Sequence, residues 1–89
     1  MQYEWSEEKN EILKKERGVS FEMVLEALAE DRLLADMPHP NREKYPHQSI
    51  LVVRIEGYCY VVPYVEEGEK IFLKTIIPSR KMQKIFGER

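Results

Sequence analysis

Apolar and polar positions follow two rhythms in this chain, and the change falls near residue 48. Over residues 6–31 apolar side chains recur at three- and four-residue spacing, as on a helix with one buried face. From 49 to 77 the chain is dominated by β-branched and aromatic residues in short runs, the signature of strands. A shorter alternation at Gln2–Trp5 predicts a first strand ahead of the helices.

The helical third divides into two pieces. Ser6 is placed to cap the first, Glu7 and Glu8 follow where the helix dipole favours acids, and Lys14, Lys15 and Arg17 sit where it favours cations. Gly18 is suited to the left-handed residue that ends such a helix. Only Ile12 and Leu13 are strongly apolar within it, which predicts a surface helix packed through a narrow stripe. Ser20 then caps a second helix. Its Phe21, Val24, Leu25 and Leu28 form one face, Glu22, Glu26 and Glu30 the other, and it ends near Asp31. Arg32–Met37 reads as an irregular or edge strand.

Three strands are predicted beyond the loop: Ser49–Ile55, Tyr58–Val65 and Lys70–Ile77. Glu56-Gly57 and Glu67-Gly68 join them as tight turns, and Pro78 stops the last. Alternation puts Leu51, Val53, Ile55, Tyr58, Tyr60, Val62, Tyr64, Ile71, Leu73, Thr75 and Ile77 on one face, the expected bed for the helices. The opposite face carries Ile50, Val52, Arg54, Cys59, Val61, Pro63, Phe72, Lys74 and Ile76. Arg54 and Lys74 among apolar neighbours imply that this face is either open to a ligand or covered by another protein. Ser79–Phe86 reads as a short helix capped by Ser79, with Met82, Ile85 and Phe86 on its apolar side and Gly87 at its end. That side predicts either a docking surface or packing on the sheet edge.

An 89-residue chain fits one small α+β domain with a single modest core, here residues 1–89. A hydrophobic content of 43% argues against disorder. There is no apolar run of the ~20 residues a membrane span needs, and the acidic N-terminus does not read as a signal peptide. A single cysteine, Cys59, excludes an intrachain disulfide framework, so a cytoplasmic protein is expected. Net charge is −2, but residues 1–36 carry −5 and residues 37–89 carry +3, which keeps the second half open to an anionic ligand.

Candidate chemistry concentrates at the end of the last strand. Arg80 and Lys81 stand just beyond Pro78, with Arg54 and Lys74 on the second sheet face behind them. Four cations in that arrangement suit a phosphodiester, and Lys74 on a half-apolar face is a candidate base. Residues 38–47 form the one extended loop, with three prolines and both histidines, His39 and His47. The histidines read first as loop residues and second as acid–base groups if the loop folds over the sheet. Neither has supporting acids at ligand spacing, and there is no glycine-rich phosphate loop or nucleotide fingerprint, so no metal or cofactor is expected. Trp5, Tyr58, Tyr60 and Tyr64 have the chemistry to stack on unpaired bases, though the tyrosine spacing favours the core.

Several segments resemble one family. Tyr3-Glu4-Trp5 opens the chain, Lys9-Asn10 lies in the first helix, and Lys15-Glu16-Arg17-Gly18-Val19-Ser20-Phe21-Glu22 spans the helix junction. Ile76-Ile77-Pro78-Ser79-Arg80-Lys81 closes the last strand. In this order they resemble the BrnT family of RelE-like ribonuclease toxins from type II toxin–antitoxin systems. The resemblance implies an α+β RelE-like fold: a short N-terminal strand, two helices, an antiparallel sheet of three to four strands and a short C-terminal helix. It also implies an endoribonuclease made with a BrnA-like DNA-binding antitoxin, as a hetero-oligomer with that partner or a homodimer alone. Arg80 matches the family pattern directly, and Lys81, Lys74 and Arg54 complete the expected catalytic set. Arg17, Tyr64 and His47 are the expected RNA contacts. The chain departs from the family at Arg17, where a histidine is frequent, and at Thr75, where an arginine is usual. These departures support a second reading, an inactive protein that only binds an antitoxin through the same face. Direct DNA binding is a poor third, because no helix is strongly basic.

Overall fold

The computed structural model describes residues 2–87. The element order is β1 (Gln2–Glu4), α1 (Glu7–Arg17), α2 (Phe21–Ala29), β2 (Leu33–Pro38), β3 (Ser49–Ile55), β4 (Tyr58–Glu67), β5 (Lys70–Leu73), β6 (Ile77–Pro78) and α3 (Arg80–Phe86). One mixed, open sheet runs β1-β5-β4-β3-β2, with β6 also paired to β4. This is an α+β domain.

Each helix starts at a serine that accepts a hydrogen bond from the amide three residues on: Ser6 from Lys9, Ser20 from Met23 and Ser79 from Met82. Gly18, at φ 68°, turns the chain out of α1 in a conformation that costs a residue with a Cβ. The β3–β4 turn has Glu56 and Gly57 both at positive φ, the twist that joins a two-residue hairpin to its strands. The second hairpin turn comprises Gly68 and Glu69, one residue later than expected, because Glu67 pairs with Lys70.

The sheet has six strands among the described residues rather than three or four. Leu33–Pro38 is an edge strand antiparallel to β3, irregular as expected, with a register shift between Leu33 and Ala35. Gln2–Glu4 lies parallel to β5 on the other edge. The expected strand Lys70–Ile77 is broken. β5 ends at Leu73, residues 74–76 leave the ladder, and Ile77 and Pro78 pair with Val61 and Tyr60.

That break reverses three positions. Ile76 is fully buried with the helices, while Thr75 and Ile77, the latter 41% exposed, lie on the other side with Pro63 and Lys74. Elsewhere the face assignment holds. Leu51, Val53, Ile55, Val62, Tyr64, Ile71 and Leu73 pack against Leu13, Val19, Phe21, Val24 and Ala27. On the second face Ile50, Val52 and Cys59 pack with Met82, flanked by Val61 and Phe86, so α3 closes a second, smaller core. Ile85 takes no part and is 60% exposed.

Candidate functional site

The second face is divided between α3 and an uncovered strip, and this decides where the expected cations fall. Cys59 receives both ends of the α3 attachment: its carbonyl accepts from the Ser79 amide at 3.0 Å, and its amide donates to Gln83 Oε1 at 2.9 Å. Arg54 lies under the far end of the helix and donates to the Phe86 carbonyl. A guanidinium there satisfies a terminal carbonyl and complements the helix dipole. Arg54 therefore holds α3 in place and does not stand behind Arg80 on an open surface as expected.

Arg17 is similarly engaged. Its Nη1 donates to the Ile76 carbonyl at 2.6 Å, binding the end of α1 to the segment that leaves the ladder. Tyr64 is buried among the helix-facing core residues, and its hydroxyl donates to Asp36 Oδ1 at 2.6 Å. Burial, then the Asp36 carboxylate, pushes its phenol up to about 12. That ring has no face to offer a nucleobase. Trp5 is likewise occupied, stacked on Phe21 with centroids 5.5 Å apart.

Lys74, Arg80 and Lys81 remain exposed and make no ion pair among the described residues. Lys74 is the first residue after β5. Its amide donates to the Pro63 carbonyl at 2.8 Å, and its ammonium sits 5.4 Å from the Phe72 ring centroid. The partial burial that made Lys74 a candidate base is absent. Arg80 and Lys81 open α3.

The 38–47 loop does fold back over the uncovered strip, but it brings His39 and not His47. The His39 amide donates to the Gln48 carbonyl, and the Tyr45 amide to the Asn41 carbonyl, closing the loop on itself. His39, Tyr45 and Gln48 then join Pro63, Lys74, Thr75 and Ile77 around a pocket of about 250 Å³. The His39 and Tyr45 rings touch, with centroids 4.5 Å apart. His39 Nδ1 accepts from the Asn41 amide at 3.0 Å, which leaves the proton of the neutral ring on Nε2. His47 is exposed and lines no part of this pocket.

The pocket has an apolar floor, two rings in its wall, one ammonium and no carboxylate. It can attract an anion and hold something flat beside it. Sequence reading named Lys74 and His39 and missed Tyr45, Gln48 and Thr75 as lining residues; the one signal for the loop was its concentration of histidine and proline.

Comparison with protein-family models, with curated proteins and with solved structures finds no match to this chain. No group of three or more histidine, cysteine or acidic side chains among the described residues is placed to hold a metal ion. Among the described residues no helix is long and apolar enough to cross a membrane.

Proposed function

We propose that this chain is the toxin of a type II toxin–antitoxin pair, a RelE-like endoribonuclease of the BrnT kind, acting in the cytoplasm without a metal. The observation that carries the reading is the pocket. Lys74 meets His39, Tyr45 and Thr75 there, and Ile77 in its lining is three residues before Arg80. Cleavage by the 2′-hydroxyl needs a group to take its proton, cations for the charged pentacoordinate phosphorus and a proton for the departing 5′-oxygen. Lys74, Arg80 and Lys81 supply the cations. The His39 Nε2–H, in the same pocket as Lys74, supplies the proton for the 5′-oxygen, and the 2′-hydroxyl proton passes to water. Arg54 and Arg17 leave the set, being committed to backbone carbonyls.

That commitment favours a second reading, an inactive chain whose basic surface only receives an acidic antitoxin segment. Expression without its antitoxin separates the two. Growth arrest with new RNA 5′ ends, both abolished by Arg80→Ala, supports the nuclease. Unimpaired growth with intact RNA supports the binding protein.

A further inference from the structure

The pocket between the 38–48 loop and the broken end of β5 has a shape and lining more specific than phosphate attraction requires. Its 250 Å³ lies below the ~300–1,000 Å³ of pockets for drug-sized ligands and admits one small ligand unit. Pro63 and Ile77 give it an apolar floor, and Tyr45, tilted against His39, gives it an aromatic wall. A bare anion has no use for either surface. A planar ring does, because stacking on an aromatic side chain and covering an apolar floor both remove its faces from water.

Polar groups around the pocket are unspent. The Gln48 side-chain amide and the Thr75 hydroxyl have no hydrogen-bond partner among the described residues. Such groups read the edge of a base. The Lys74 ammonium has no carboxylate partner, and the loop itself carries Arg42 and Lys44, the latter 5.4 Å from the Tyr45 centroid. A ring with a negatively charged appendage matches all of these at once.

We propose that this pocket is a subsite for one unpaired nucleotide of an RNA strand, with its base against Tyr45 and His39 and its phosphate at Lys74. Gln48 is the residue that selects among bases. The inference rests on the ribonuclease reading for its strand and adds to it the residues that set sequence preference.

Titration of the full chain, followed through backbone amide resonances, tests this without requiring cleavage. The probes are the four ribonucleoside 3′-monophosphates, inorganic phosphate and a short single-stranded oligoribonucleotide with a non-cleavable 2′-methoxy backbone. The expected result is shifts confined to residues 39–48 and 74–77, with one or two bases preferred and the oligonucleotide bound tighter than any mononucleotide. Tyr45→Ala weakens binding at least about fivefold, the low end of one lost stacking contact. Tyr45→Phe retains binding, Gln48→Ala levels the preference among bases, and Lys15→Ala on α1 changes nothing.

Equal shifts from inorganic phosphate and the nucleotides would make this an anion site only and overturn the proposal. So would a mononucleotide bound as tightly as the oligonucleotide, or wild-type affinity in a folded Tyr45→Ala chain. The two readings fail separately. Binding with intact RNA in cells sinks the nuclease and leaves the pocket; RNA cleavage unchanged in rate and sequence preference by Tyr45→Ala sinks the pocket and leaves the nuclease.

Discussion

Asn10 is fully buried, and each of its side-chain polar atoms is used. Oδ1 accepts from the Phe21 amide at 2.8 Å, while Nδ2 donates to Glu22 at 2.8 Å and to Glu7 at 3.3 Å. One amide thereby ties α1 to the first turn of α2, where Ser20 takes the Met23 amide. It also holds the Glu22 carboxyl below its usual range, with Glu22's own backbone amide as the second cause. Truncation strands the Phe21 amide in the core, so Asn10→Ala is expected to cost about 2–3 kcal/mol in urea unfolding. A loss under ~1 kcal/mol would show that water replaces the side chain. Tyr64 gives a second test at this scale. Its phenol is raised in the fold from 10.0 to about 12, so the folded state keeps a proton that the unfolded chain releases first. The stability tied to that proton is intact below pH 10.0 and is lost as pH rises towards about 12. Thermal melts should therefore fall over that window in the wild type and fall less in Tyr64→Phe, which keeps the ring and has no proton to lose.

At the scale of elements, α3 shows what a sheet contributes to a helix. Seven residues are too few for a stable helix in water. This one persists because Cys59 and Arg54 engage its two ends while Met82 and Phe86 lie on the second core. Arg54→Ala is expected to speed amide hydrogen exchange across α3, cost about 1–2 kcal/mol overall, and leave the β3–β4 ladder protected. Unchanged exchange in α3 would mean that the apolar contacts and the Cys59 hydrogen bonds secure it without Arg54. The same element marks the boundary of what the sequence discloses. Ser6, Ser20 and Ser79 act on amides three residues away, so all three helices are legible from local spacing. The break after Leu73 is not. Lys70–Ile77 reads as one strand, and its interruption accompanies two distant contacts: the Lys74 amide on the Pro63 carbonyl and Arg17 on the Ile76 carbonyl. Nor does alternation disclose that β1 pairs parallel with β5, since that contact spans almost seventy residues.

For the molecule as a whole, the open question was where the positive half of the chain places its charge. Counting charges along the sequence located the basic half, and strand alternation placed Arg54 and Lys74 on one face. Neither can show that a helix will cover Arg54 or that a proline-rich loop will bring His39 to Lys74, because both depend on contacts between segments distant in sequence. Of the exposed cations in this half, Lys74 lines the pocket, Lys44 lies 5.4 Å from the Tyr45 centroid on the loop, and Arg80 and Lys81 open α3, while the chain is net −2. RNA binding should accordingly be local and strongly dependent on salt. Each phosphate neutralised on a single strand adds about 0.7 to the slope of log affinity against log salt. Fluorescence anisotropy with a non-cleavable single-stranded RNA should show that slope falling by ~0.7 in Lys74→Ala, in Arg80→Ala and in Lys81→Ala. Lys14→Ala should leave it unchanged, because that ammonium lies on α1 with Glu11 3.0 Å away. A slope indifferent to all three substitutions would place the RNA on another surface, whereas a slope that responds to Lys74 alone would separate the pocket from the start of α3.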